Sequence, residues 1–154
     1  MKKIAALLLI IALCSCLVSC ISQATYTLAK DQSDIVTIEL VKITEEILDD
    51  DSDAIVDYKM EILKEVTDIE GFLTKFYLLS SFTIDILPPS ELFEGEYAIK
   101  INYNDNSHDL IGYSGGMYFK DGTYMLPEIS IFFSEDEFNN FVEAYITYEN
   151  QFEI

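Results

Sequence analysis

The chain has 154 residues, of which 28 are acidic and nine are basic, and its formal net charge at pH 7 is −19. All nine basic residues are lysine. So few cations argue against nucleic-acid binding, because nucleic-acid-binding proteins neutralise phosphates with clusters of lysine and arginine. Half of the residues are hydrophobic and 13% are aromatic, which is enough for one ordinary domain with its own core.

The first 20 residues are organised like an export signal. Lys2 and Lys3 precede an apolar run from Ile4 to Leu13, which is shorter than the roughly 20 residues that a membrane-spanning helix needs. The segment Leu17-Val18-Ser19-Cys20 then places a branched apolar, a β-branched and a small residue before a cysteine. This pattern resembles the signal of bacterial lipoproteins.

The lipoprotein resemblance implies that Cys20 carries a diacylglyceryl group on its sulfur and that cleavage follows Ser19. It also implies that the protein is held on the extracytoplasmic face of the cell membrane. A diacylglyceryl group suffices for stable anchoring because it buries two acyl chains. The alternative is an ordinary secretory signal with an incidental cysteine. Cys16 is a weaker acceptor, because Cys14 would lie two positions before its cleavage site.

The predicted organisation has three parts. Residues 1–19 are the signal peptide, residues 20–34 are the lipidated cysteine and a tether, and residues 35–154 are a single domain. Cys20 is the only cysteine left after the cleavage, so the domain is expected to fold without an internal disulfide. The loss of two lysines with the signal moves the formal net charge from −19 to −21, which opposes contact with an anionic membrane surface.

Alternating apolar and polar residues predict two strands at the start of the domain. Val36, Ile38 and Leu40 alternate with polar residues, and residues 56–66 repeat the pattern after the acidic segment 49–53. We expect the two strands to pair as a hairpin. A helix is the competing interpretation of the second segment, because some of its apolar residues also fit a helical spacing.

A short helix and a further strand are predicted next. Asp68 can cap the helix by accepting a hydrogen bond from one of its first amides. The apolar face has residues spaced three and four apart, and these are Ile69, Phe72, Leu73, Phe76 and Leu79. Residues 82–87 are predicted as a strand, which Pro88-Pro89 ends because proline has no amide hydrogen for a ladder.

The second half of the domain predicts β-hairpins. Residues 97–103 alternate strictly and turn through residues 104–107 into residues 109–111. Residues 117–119 and 124–126 flank Asp121-Gly122, a favoured pair for a hairpin turn. Residues 129–133 are expected to extend the same sheet.

A closing helix is predicted at the end of the domain. Ser134 and Glu137 have the spacing of a capping box, in which each residue hydrogen-bonds the other's backbone amide. The apolar residues that follow share one helical face, and they are Phe138, Phe141, Val142 and Tyr145.

Four short segments together resemble a known domain: Gly95–Tyr103, Asp109–Tyr113, Gly115-Gly116 and Asp136–Asn140. They are similar to a recurrent domain of small uncharacterised exported proteins of Gram-positive bacteria. The similarity covers about the last two-thirds of the chain and rests on strand and turn residues. It supports a domain boundary and brings no known activity.

The segment Gly112-Tyr113-Ser114-Gly115-Gly116 fits the G-x-S-x-G pattern of a serine nucleophile elbow. That elbow needs a strand-to-helix turn, and its triad histidine follows the serine in the chain. Here strand-like sequence follows Ser114, and the only histidine, His108, precedes it. We therefore expect a glycine-rich loop between strands and no catalytic residues.

The acidic residues Asp49, Asp51 and Asp53 have the alternating spacing with which a calcium loop begins. Ala54 and Met60 occupy the positions of the loop's glycine and closing glutamate, so a solvated hairpin tip with no metal or only weak calcium binding is predicted.

Two other segments are also weak metal candidates. The segment Asn104-Asp105-Asn106 is interpreted as a solvated turn, like the Asp49–Asp53 tip. His108 lacks a second histidine for a zinc site and is expected at a strand edge.

The sequence therefore predicts an α+β fold, an antiparallel sheet of about five to seven strands with two helices on one face. The expected function is that of a non-enzymatic binding module, anchored through Cys20 and without cofactor or metal. Its acidic surface would meet a basic protein or a cell-wall component. The alternative is a small-molecule or cation sensor that uses the loop from Asp49 to Asp53.

Overall fold

The computed structural model describes residues 21–23, 25–48, 55–84, 92–125 and 131–148. Over these residues the chain forms nine strands, a short 3-10 helix (Gln32–Asp34) and two α-helices. The strands are β1 (Ile21–Gln23), β2 (Ile35–Leu48), β3 (Ile55–Glu65), β4 (Ser81–Ile84), β5 (Tyr97–Tyr103), β6 (His108–Gly112), β7 (Gly115–Lys120), β8 (Thr123–Met125) and β9 (Ile131–Phe133). The helices are α1 (Ile69–Phe76) and α2 (Glu135–Tyr148).

Six strands form an antiparallel sheet in the order β3-β2-β5-β6-β7-β8, and a small antiparallel sheet has the order β1-β4-β9. The outer strands of the large sheet, β3 and β8, approach each other. The rings of Tyr58 and Tyr124 on these strands lie 5.4 Å apart. The large sheet is therefore curled, with an inner face and a helix-covered face.

The helix-covered face carries the main core. Phe72 on α1 lies 5.1 Å from Phe141 and 4.9 Å from Tyr145 on α2, measured between ring centroids. The fully buried members of this core include Ile38, Leu40, Phe72, Phe76, Ile99, Ile101, Ile111, Phe138 and Val142. Each buried side chain of this size contributes about 1.5–3 kcal/mol of hydrophobic stabilisation, so the two helices are held without a disulfide.

The inner face carries a smaller apolar cluster at one end of the sheet. Its buried members are Val41, Ile43, Tyr58, Leu92, Ala98, Leu110 and Met117. Leu92 comes from the segment before β5, and its backbone amide donates to the Tyr58 hydroxyl over 3.4 Å. The other end of this face carries polar side chains.

The structure confirms the α+β fold class, with a six-stranded sheet and both helices on one face. The predicted hairpin of the first two strands is confirmed, and β2 continues to Leu48. The helix cap is confirmed as well, because Asp68 Oδ1 accepts from Gly71 N over 3.0 Å. Asp121 and Gly122 have φ angles of 52° and 82°, as a two-residue hairpin turn with positive φ requires.

Two local predictions differ from the structure. Residues 131–133 do not extend the large sheet but pair with β4 in the small sheet, because the outer strands of the large sheet face each other. The predicted capping box between Ser134 and Glu137 is not formed, because both residues bond to Ser80 instead. Glu137 Oε2 accepts from Ser80 N over 3.1 Å and Ser134 N donates to Ser80 O over 3.4 Å, so these residues fasten α2 to the start of β4.

The described part of the predicted tether contacts the domain. β1 pairs with β4, and the Tyr26 ring packs 6.1 Å from the Phe76 ring. Ala29 N donates to Asp109 Oδ2 over 3.0 Å, and Lys30 forms an ion pair with Asp105. The segment packs on the domain because it carries apolar side chains. The packed residues therefore begin before residue 35, the predicted start of the domain. No helix among the described residues is both long and apolar enough to cross a membrane.

Candidate functional site

A recess of about 330 Å³ lies where the segment before β5 meets the β6–β7 turn and the start of α2. We call it the acidic recess. Its side chains are acidic, aromatic or amide, with one lysine, and they come from Lys42, Phe93, Glu94, Glu96, Tyr97, Tyr113, Glu135 and Asn139.

Glu96 joins two walls of the acidic recess. Its side chain is buried, with 6% of its surface exposed. Oε1 accepts from Ser114 N over 3.1 Å and from Ser114 Oγ over 2.9 Å, and Oε2 accepts from Phe93 N over 3.0 Å. A Cβ at position 112 would overlap Glu96 Oε1, so Gly112 is what allows the carboxylate to approach the β6–β7 turn.

The acidic recess has an excess of negative charge. Burial raises the pKa of Glu96, and its hydrogen bonds from the Phe93 and Ser114 amides oppose that shift. The pKa of Tyr113 is also raised, by burial and then by the negative charges of Glu96 and Glu135. Among the residues that the structure describes, Lys42 is the one cation lining the acidic recess, against the carboxylates of Glu94, Glu96 and Glu135.

Asn139 also lines the acidic recess. Its Oδ1 atom is fully buried and has no hydrogen-bond partner among the described residues, which typically costs about 1–3 kcal/mol. Phe93 lies at the recess with 54% of its surface exposed. Acceptor oxygens and aromatic rings together suit a ligand that carries N–H donors and positive charge.

The inner face carries a second polar arrangement, a row of aligned residues across five strands. The row consists of Thr37, Asn102, His108, Phe119 and Tyr124. The His108 ring stacks 4.8 Å from the Phe119 ring, and its Nε2 lies 3.2 Å from the Tyr124 hydroxyl. Asn102 Nδ2 donates to Thr37 Oγ1 over 2.9 Å. These polar groups satisfy one another.

His108 is held in its neutral form. Its pKa is lowered to about 4, first by burial and then by the Lys100 ammonium, while Asp57 and Glu39 oppose the shift. His108 is the first residue of β6, at the edge of the strand as expected, and β6 itself lies between β5 and β7 in the sheet.

Asp109 is the second buried carboxylate, with 1% of its surface exposed. Its Oδ2 accepts from the Tyr103 hydroxyl over 2.5 Å and from Ala29 N over 3.0 Å. Burial raises the pKa of Asp109, and these two hydrogen bonds oppose the shift. Asp109 borders a cavity of about 240 Å³ that Tyr26 and Met117 also line. Because it accepts from Ala29 N, Asp109 connects the N-terminal segment to the sheet.

The residues considered for catalysis are not brought together. His108 begins β6 and Ser114 lies in the turn beyond its end, so the length of the strand, about 14 Å at 3.4 Å per residue, separates them. The Ser114 hydroxyl is bonded to Glu96 instead. Asp105 in the predicted turn accepts from Ser107 N over 3.2 Å and pairs with Lys30, so this turn is fixed by contacts within the fold.

Two predicted sites lie outside the described residues, and they stay predictions. These are the lipidation site Cys20 and the acidic loop from Asp49 to Asp53. Among the residues that the structure does describe, no group of three or more histidine, cysteine, aspartate or glutamate side chains could hold a metal ion.

Sequence reasoning missed the acidic recess. Glu96 and Glu135 are 39 positions apart in the chain, and only the fold brings them together. The available signal was Gly112 within the glycine-rich segment, which marked a close approach without showing what approaches. Comparisons of the chain with known protein families, with characterised proteins and with solved structures found no match.

Proposed function

We propose that this protein is a non-enzymatic binding module whose acidic surface takes a positively charged partner at the extracytoplasmic face of the cell membrane. A lipid on Cys20 holds it there. The proposal rests on one observation, the large excess of carboxylates over lysines in the whole chain. A surface of this kind attracts cations and speeds their association.

Several of the few lysines are already engaged within the fold. Lys30, Lys59 and Lys100 pair with Asp105, Glu45 and Glu39. The ammonium of Lys75 lies 5.3 Å from the centre of the Tyr145 ring. The negative surface is therefore weakly compensated, and an external cation is the natural counter-charge.

The position of β1 supports a short connection between anchor and domain. β1 begins at Ile21, directly after the predicted lipidated cysteine, and it pairs with β4. A lipid on Cys20 would keep the domain near the bilayer surface. Since anionic lipids repel a surface of the same sign, the partner-binding side is expected to face away from the membrane.

The binding part of this proposal is tested with a labelled penta-lysine peptide and the full-length protein in a non-ionic detergent. Affinity should fall steeply between about 20 mM and about 200 mM salt, because the Debye length shortens from about 20 Å to about 7 Å. Absence of binding at the lower salt concentration contradicts the proposal, as does an affinity that salt does not change.

The anchoring part is tested by intact mass and membrane fractionation beside a Cys20→Ala variant. The wild-type protein should begin at Cys20, carry a lipid-sized mass addition and partition with membranes. The variant should lose all three properties. A soluble and unmodified wild-type protein would refute the anchor and leave the binding test unaffected.

A further inference from the structure

We infer that the acidic recess is the subsite for one lysine side chain of a basic polypeptide, an inference that rests on the function proposed above. The ligand class is a protonated primary amine on a flexible alkyl stem. Three features of the acidic recess carry the inference: its acceptors, its aromatic walls and its rigid floor.

The acceptors match an ammonium group. An ammonium has three N–H donors and no acceptor, and the acidic recess presents the exposed carboxylates of Glu94 and Glu135. One ammonium can pair with either of these exposed carboxylates through its N–H donors. A ligand carboxylate or phosphate would instead place more negatively charged acceptor oxygens beside the glutamates of the acidic recess.

The aromatic walls match the alkyl stem and the charge. Tyr97 and Tyr113 are half-buried in the lining and Phe93 is exposed. A cation within about 6 Å of an aromatic ring centre gains a favourable electrostatic contact, and the four-carbon stem of lysine packs well on such surfaces. A bare metal ion would use neither the rings nor the volume of about 330 Å³.

The floor is fixed before the ligand arrives. Glu96 holds Phe93 and Ser114 in place through three of its acceptor contacts, and Gly112 provides the space for it. A preorganised site loses less conformational entropy on binding. Lys42 also lines the acidic recess, so its ammonium competes with the ligand for the same negative charge.

The main test compares two double variants that remove equal charge. Glu94→Gln with Glu135→Gln changes the acidic recess, while Glu70→Gln with Glu143→Gln changes exposed positions on the helices. The probe is the labelled penta-lysine peptide at low salt, with the full-length protein. We expect the first pair to weaken binding about tenfold, since close charge contacts are lost, and the second to weaken it less than about twofold.

Equal losses in the two double variants would overturn the assignment of the acidic recess and leave a diffuse electrostatic surface as the binder. The proposed function would survive that result. If the wild-type protein does not bind the peptide at all, the proposed function itself fails. Melting temperatures of both double variants establish that each one is folded.

A second test uses a substitution that strengthens binding. Lys42→Gln removes the competing ammonium from the acidic recess, and Lys120→Gln removes the same charge from the exposed end of β7. We expect Lys42→Gln to tighten penta-lysine binding about threefold and Lys120→Gln to change it less than about 1.5-fold. A peptide of five acetylated lysines should not bind either protein. Equal effects of the two substitutions, or binding of the acetylated peptide, would contradict the inference.

Discussion

Asp109 and His108 are neighbours on β6, yet they lie on opposite faces of the large sheet. Burial is the main cause of both pKa shifts, and it acts in opposite directions. It raises the pKa of Asp109 and lowers the pKa of His108, because a low-dielectric environment disfavours the charged form of either group. The comparison shows that one strand can carry a buried carboxylate and a half-buried imidazole that respond oppositely to acid.

The two faces compensate burial by different means. On the helix-covered face, Asp109 receives hydrogen bonds from the Tyr103 hydroxyl and from Ala29 N, as a buried carboxylate requires. On the inner face, His108 is uncharged and packs against the rings of Phe119 and Tyr124. Asp109 therefore connects distant parts of the chain through its hydrogen bonds. His108 instead contributes mainly by packing, together with its contact to the Tyr124 hydroxyl.

Removing the Asp109 carboxylate is expected to give the largest difference in the free energy of unfolding between the two faces. Asp109→Ala leaves Tyr103 Oη and Ala29 N without their acceptor, and we expect the free energy of unfolding to fall by about 3 kcal/mol. The measurement is urea denaturation followed by circular dichroism. His108→Ala is the matched variant on the other face and should cost about 1 kcal/mol, because it removes one hydrogen bond and some packing.

Asp109→Asn serves as the control, because it keeps one oxygen acceptor in nearly the same volume. It should cost less than Asp109→Ala. If His108→Ala proves as costly as Asp109→Ala, the connecting role of Asp109 is wrong, and the two faces contribute equally.

Much of the large sheet could be predicted from the sequence. Apolar and polar residues alternate along its strands, and this alternation indicates that one face of each strand is buried. The hairpins around Asp121-Gly122 and residues 104–107 follow from turn chemistry that acts over a few residues. The second sheet was not predicted, since three short strands from distant parts of the chain form it. Nothing local distinguishes such a strand from a continuation of the main sheet.

Buried polar residues mark the limit of the sequence-based predictions. Alternation placed Asp109 at a strand position without indicating that Tyr103 and Ala29 would meet it. The acidic recess depends on pairs such as Glu96 with Ser114, which are 18 positions apart. The charge excess was readable from composition, whereas its concentration at one concave site depends on tertiary packing.

An intermediate effect is expected in the acid response of His108. It is the only histidine in the chain, so NMR titration of its ring gives a single curve. We expect a pKa of about 4, below the ordinary value of about 6.5. Because the folded-state pKa is lowered, its contribution to stability is present above the ordinary value and is lost as pH falls through the window between the two.

The matching stability measurement compares the wild-type protein with His108→Gln. At pH 4 we expect the His108 contribution to lower the free energy of unfolding by about 2 kcal/mol relative to pH 7, after allowance for the partial exposure of the ring. The variant should lack this loss. Raised carboxyl pKa values such as those of Glu96 and Asp109 act in the opposite sense, adding stability as pH falls. A histidine pKa near the ordinary value would show that the inner face is open to water.

The smallest effect is expected from the contact between His108 Nε2 and the Tyr124 hydroxyl. Tyr124→Phe removes one hydrogen bond of 3.2 Å and should lower the free energy of unfolding by about 1 kcal/mol. If the hydroxyl donates to the neutral ring, its loss also raises the pKa of His108, because the unprotonated form loses its partner. The same substitution in a His108→Gln background gives the coupling energy between the two side chains. A pKa of His108 that falls in Tyr124→Phe would show that the ring donates to the hydroxyl, which would reverse the direction of this hydrogen bond on the inner face.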